Sequence, residues 1–163
     1  TWPSSSTVSY SMHPYAAPLS SAGWILAHAA RSGDAVTATI AFGSDVTLLI
    51  GPRQRPTHPQ DMHTSGASST FGDAVKLADE LLQLRQPGRL RMLAVISDGD
   101  LDDIPAAQRL VSTLHRAGCA VLWLRPADLP GHTFTDTTTV LVTDPVQAID
   151  HIADAAVTAL ERA

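Results

Sequence analysis

The sequence has a single cysteine, Cys119, set among apolar residues (AGCAVLWL), so an intrachain disulfide and a cysteine-ligated zinc site are both excluded. Cys119 is expected to be a small buried core residue. Its seven histidines show no HxH or HExxH spacing, which argues against a zinc enzyme, and His28, His115 and His151 fall on expected helices as surface or boundary residues. No GxSxG element is present, so a serine hydrolase has no nucleophile elbow. No apolar run approaches the roughly 20 residues of a membrane span, and the first residues lack the charged and apolar regions of a signal peptide. A cytoplasmic chain is the expectation from these absences.

Positive charge is also sparse. Eleven basic residues against sixteen acidic ones give a formal charge of −5, and the basic residues are scattered along the chain. No basic face for nucleic acid or anionic lipid stands out, so neither is expected as a partner. The 163 residues suit one domain with a sizeable core. Residues 1–18 are a loop-rich leading segment of Ser and Pro, with extended residues near Thr7 to Tyr10.

What is present is an alternation of helical and strand patterns. Leu19, Ala22, Ile25, Leu26 and Ala29 recur at three- and four-residue steps, predicting a helix with Ser20 or Ser21 as its cap and Gly33 as its stop. AVTATIAF and VTLLIG around Gly43-Ser44-Asp45 predict a hairpin. A long polar connection over residues 51–69 leads to a helix from Phe71. RMLAVIS, CAVLWLRP and TTTVLVT read as strands, and the segments from Pro105 and from Pro145 as helices. Almost wholly apolar strands alternating with helices predict an α/β fold: a three-layer arrangement with a mainly parallel central sheet, one antiparallel edge strand, and helices on both faces. Trp24 and Trp123 are expected in the core.

The chemistry-bearing residues cluster at predicted strand ends, where open α/β sheets bind ligands. Asp98 ends the strand 91–97 in the run ISDGDLDD. Ser9 and Ser11 precede the first helix, and Thr70 opens the helix at Phe71. Hydroxyls and a carboxylate converging on one edge make a hard-oxygen site suited to magnesium or manganese. Plain readings stand beside this one: Asp98 as a turn former before Gly99, Thr70 as a helix N-cap, and Ser9 and Ser11 as loop serines. Asp100, Asp102 and Asp103 precede a helix, where negative charge complements the dipole.

On these residues the chain resembles a von Willebrand factor type A domain. Ser97-Asp98-Gly99 is similar to the family's Asp-Gly element after its fourth strand, SSTFGDAVKLA resembles its threonine loop, and GDAVTATIAFGSDV resembles its second-strand hairpin. TVSYSM at 7–12 offers Ser9 and Ser11 where the family has both serines, but Thr7 stands at the place of the Asp. The resemblance covers residues 7–160 and implies a metal-ion-dependent adhesion site holding Mg2+ or Mn2+ through Ser9, Ser11, Thr70 and Asp98. It further implies a non-enzymatic protein-interaction module whose cation meets an Asp or Glu of a protein partner. Thr7 removes one negative charge, so weaker cation affinity follows. The family's apolar first strand has no counterpart in TWPSSS, so the chain is expected to be a piece of a longer protein or to have the segment before Ser9 displaced.

Two alternatives remain open at this point. DGDLDD is similar to the Asp-x-Asp start of magnesium-dependent phosphotransferases, with Asp98 or Asp100 attacking phosphorus. The other is a metal-free scaffold domain.

Overall fold

The computed structural model describes residues 16–33, 35–55, 57–58, 70–143 and 149–161. The order of elements is α1 (Ala16–Ser32), β1 (Thr39–Phe42), β2 (Val46–Ile50), α2 (Phe71–Leu82), β3 (Met92–Ile96), α3 (Ile104–Arg116), β4 (Ala120–Pro126), β5 (Thr138–Val142) and α4 (Ile149–Glu161). The fold is α/β, with parallel β3, β4 and β5 in one sheet and antiparallel β1 and β2 in another.

Alternation along the strands sorts the core into two clusters. Leu93, Val95, Val121 and Trp123 join Ala74, Val75 and Ala78 of α2 and Ala107, Val111 and Leu114 of α3. Their neighbours Met92, Ala94, Ile96, Leu122 and Leu124 join Ala22 and Leu26 of α1 and Ile152, Ala156 and Ala159 of α4. Successive strand residues face opposite sides of a sheet, so the helix pairs α2/α3 and α1/α4 cover its two faces. Each deeply buried Leu, Ile or Val contributes about 1.5–3 kcal/mol through burial. Both faces being apolar, β3 and β4 read as continuous hydrophobic runs.

One expectation needs correction. The hairpin is a separate two-stranded sheet among the described residues, not an antiparallel edge bonded to β3. Ile40 and Phe42 of β1 nevertheless share a cluster with Leu93 and Val95 of β3. Side-chain packing, not a backbone ladder between them, joins the two sheets.

Helix ends follow local chemistry. α1 begins at Ala16 rather than Leu19, so Ser20 and Ser21 lie inside it and do not cap it, and Pro18 falls in its first turn, where proline is tolerated. α2 stops at Leu82 because Gln83 turns into the left-handed region at φ 54° and donates its N–H to the Asp79 carbonyl. The side chain of Asp103 accepts from Ala106 N at 2.8 Å and caps α3, with Pro105 in the first turn.

Arg91 links the ends of two helices. Its buried guanidinium donates to the carbonyls of Leu84 (2.9 Å), Ala117 (2.9 Å), Gly118 (3.3 Å) and Arg89 (3.0 Å). Carbonyls just past the C-termini of α2 and α3 thus face a fixed positive charge, the favourable sense for a helix dipole.

The tryptophans divide. Trp123 is 1% exposed and central. Trp24 is only half-buried and stacks on His28, with ring centroids 4.9 Å apart, so the expected core role fails for it. Cys119 is fully buried, and burial pushes its thiol up to about 12. Among the described residues, no helix is long and apolar enough to cross a membrane.

Candidate functional site

β3 ends in a tightly bonded turn. Ser97 Oγ accepts from Gly99 N at 3.1 Å, and Asp98 Oδ1 accepts from Asp100 N at 3.1 Å, an Asx turn that fixes the carboxylate against its own backbone. Asp98 is 2% exposed. Gly99 sits at φ 84°, and a Cβ there would lie 2.5 Å from the carbonyl oxygen of His132. A side chain at Gly131 would collide with the carbonyl of Asp98. Backbone contact without side chains is what lets the segment after β4 cover the Asp98 turn. Arg125 Nη1 donates to Gly131 O at 2.6 Å and holds that segment down.

Thr70 occupies the N-cap position of α2, yet its side chain makes no cap bond. Its hydroxyl turns to the hairpin instead, sharing its proton between the carbonyls of Gly43 (3.1 Å) and Asp45 (3.4 Å) and accepting from Gly43 N at 3.2 Å. A hydroxyl has two lone pairs, so one acceptor position is left over. Thr70 thus holds the N-cap position without a side-chain cap bond, and its oxygen retains capacity for a further partner.

A row of aromatic rings connects these two positions. Phe42 meets Phe71 at 5.3 Å between centroids, Phe71 meets Trp123 at 5.7 Å, Trp123 meets Phe134 at 4.5 Å, and Phe134 meets His132 at 4.7 Å. Trp123 Nε1 donates to Ser97 O at 3.0 Å. Thr70 precedes Phe71 and Asp98 follows Ser97, so each is the sequence neighbour of a residue in this chain of contacts. Ser9 and Ser11, along with Thr7, lie outside the described residues.

Among the described residues, no group of three or more His, Cys, Asp or Glu could hold a metal ion. Among the described residues, then, this end of the sheet holds no centre rich in histidine or carboxylate. Its donors are one carboxylate and a hydroxyl, hard oxygens of the type that Mg2+ and Mn2+ accept. Sequence reasoning missed the contributions of Ser97, Gly131 and His132 to this turn. Only the Pro130-Gly131 pair, a turn signal, hinted at the covering segment.

No protein-family model matches the chain, and no curated protein is similar to it in sequence. Solved structures do share its fold. Proximal thread matrix protein 1 from the mussel byssus superposes with a TM-score of 0.67 at 11% identity, over 96% of this chain and 48% of that one. Another structure of the same protein gives 0.67 at 11% identity, over 94% and 47%. The pilus adhesin SpaC from Lactobacillus rhamnosus GG, in its open conformation, gives 0.68 at 10% identity, over 99% of this chain and 30% of that one. The chain thus spans about half the length of the mussel protein and under a third of the adhesin. At this identity the likeness shows the fold alone: an α/β domain that recurs inside longer proteins.

Proposed function

We propose that this chain is a protein-interaction domain of von Willebrand factor A type, with a reduced metal-ion-dependent adhesion site at the rim carrying Asp98 and Thr70. The observation that supports the reading is the contact chain from Phe71 through Trp123 to Ser97, whose ends are the sequence neighbours of Thr70 and Asp98. Asp98 supplies fixed negative charge, Thr70 a hydroxyl lone pair, and Ser9 and Ser11 the remaining hydroxyls. A cation held there would contribute Lewis acidity toward a carboxylate, so the partner is a protein presenting Asp or Glu. With Thr7 in place of an acid, the site carries less negative charge than the full motif, and binding is correspondingly weak.

Binding is favoured over phosphoryl transfer by one feature. Asp98, 2% exposed and bonded to Asp100 N, is poorly placed to attack the phosphorus of an external ester, which leaves that reading only the exposed Asp100. That a matrix protein and an adhesin share the fold agrees with a binding role.

The test is thermal unfolding with and without millimolar Mg2+ or Mn2+, for the parent chain and Asp98→Asn. A cation at a hundred times its dissociation constant adds about 2.7 kcal/mol. A rise in melting temperature that Asp98→Asn abolishes is the expected result. An equal response of both proteins contradicts the cation site and leaves the metal-free scaffold reading.

A further inference from the structure

Away from the rim, two adjoining cavities lie between α1 and the segment that follows β2. One, of about 250 Å³, is lined by Arg31, Arg53 and Arg55. The other, of about 450 Å³, is lined by Trp24, His28, Arg31, Ser32, Arg55 and Thr57. Arg31 and Arg55 belong to both, and among the described residues no acidic one lines either.

In a chain of formal charge −5, this gathering runs against the average. The ion pairs among the described residues are Lys76–Asp73 and Arg85–Asp79, so these three arginines meet no carboxylate there. Arg31 has an anchor on one arm: Nη1 donates to the buried Thr37 Oγ1 at 2.8 Å, while Nη2 is buried without a partner among the described residues. Among the described residues, Trp24 Nε1 is likewise buried without one. Two orphaned donors therefore belong to residues lining the same cavity, and a buried donor left unmade is costly, more so on a charged group. Burial, and after it the positive charge of Arg55, push the Arg31 guanidinium below its ordinary value.

We infer that this crevice is an oxyanion site for a phosphate monoester, with Arg31, Arg53 and Arg55 as its cationic walls and Trp24 Nε1 as a neutral donor. Guanidinium forks match phosphate oxygens in pairs, and phosphate has enough acceptors to engage several donors at once. The larger cavity has the volume of a small-molecule site. Beside it, the stacked Trp24 and His28 rings, 15° from parallel, present a flat wall. A phosphate of a sugar or of a mononucleotide shares the same anchoring chemistry.

Calorimetric titration of the full chain at constant ionic strength tests this, with inorganic phosphate as the probe and chloride as the control. Saturable phosphate binding is expected, weakened about tenfold or more in the Arg53→Gln/Arg55→Gln double variant, since a charge-assisted hydrogen bond is worth about 1.5–3 kcal/mol. Arg53 and Arg55 are exposed, so the variant should keep the parent melting temperature without phosphate. Arg31→Lys keeps charge but loses the fork and should weaken binding similarly. Tighter binding of adenosine monophosphate than of ribose 5-phosphate assigns the site to nucleotides, and equal binding assigns it to sugar phosphates. Asp98→Asn leaves phosphate affinity unchanged, which separates this site from the cation rim. No saturable binding, or an affinity that the arginine variants do not alter, overturns the inference.

Discussion

The indole Nε1 of Trp123 donates to the backbone carbonyl of Ser97 at 3.0 Å, so the most buried ring of the core is tied directly to the turn that positions Asp98. Core and rim are one mechanical unit on that account. Trp123→Phe removes the donor and leaves a buried carbonyl short of its partner, at a cost of about 1–3 kcal/mol. Urea unfolding should show a lower midpoint with an unchanged slope, and any Mn2+ response of the parent should weaken with it.

Gly99 and Gly131 allow two backbones to touch over Asp98. Gly99→Ala places a Cβ 2.5 Å from His132 O at a backbone φ of 84° that alanine resists. The expected cost is about 1–3 kcal/mol, read by denaturant unfolding. Gly88→Ala is the control: it has a positive φ of 92° but no atom within 4 Å, so it carries the conformational cost without the collision and should be milder.

Arg91→Met should be among the most damaging single changes. It strips charge-assisted bonds from the carbonyls past α2 and α3 and leaves that of Leu84 buried and those past α3 partly buried. A loss of about 3 kcal/mol or more is expected in the unfolding free energy, and Arg91→Lys should not restore it, because one ammonium cannot span the same carbonyls.

Cys119 gives a pH-dependent readout. Its folded thiol is raised to about 12 by burial, above the unfolded value of about 8.5. The folded state therefore holds the proton more tightly than the unfolded chain. That contribution to stability is fully present below the unfolded value and is lost as pH rises toward about 12. Labelling with a disulfide reagent at pH 8 should be slow in the native protein and fast after unfolding. Rapid native labelling would contradict the burial.

Much of the architecture was legible in the chain because its signals are local. Three- and four-residue spacing in Phe71, Ala74, Val75 and Ala78 located α2, and the uninterrupted MLAVI and AVLWL marked strands buried on both faces. The separation of the hairpin from the larger sheet was not legible, since pairing between distant strands leaves no local pattern. Trp24 was misjudged because ring size alone predicts burial, whereas its position on α1 sets it beside His28. At the rim, Asp98 was visible in SDG, as a strand end followed by glycine. Its cover by Gly131 and His132 was not, because residues far apart in sequence meet only in the fold. The same holds for Arg31, which stands far in sequence from the neighbouring Arg53 and Arg55 and lines the same crevice.

Cation binding through Asp98 and Thr70 is the proposal on which the functional reading rests. Its most direct test is Mn2+ titration of the isotope-labelled protein, following paramagnetic broadening of backbone amide signals. Selective broadening of residues 97–100 and 70–72 at substoichiometric Mn2+, absent in Asp98→Asn, is the predicted result. Uniform weak broadening, or broadening centred elsewhere and insensitive to Asp98→Asn, would contradict it.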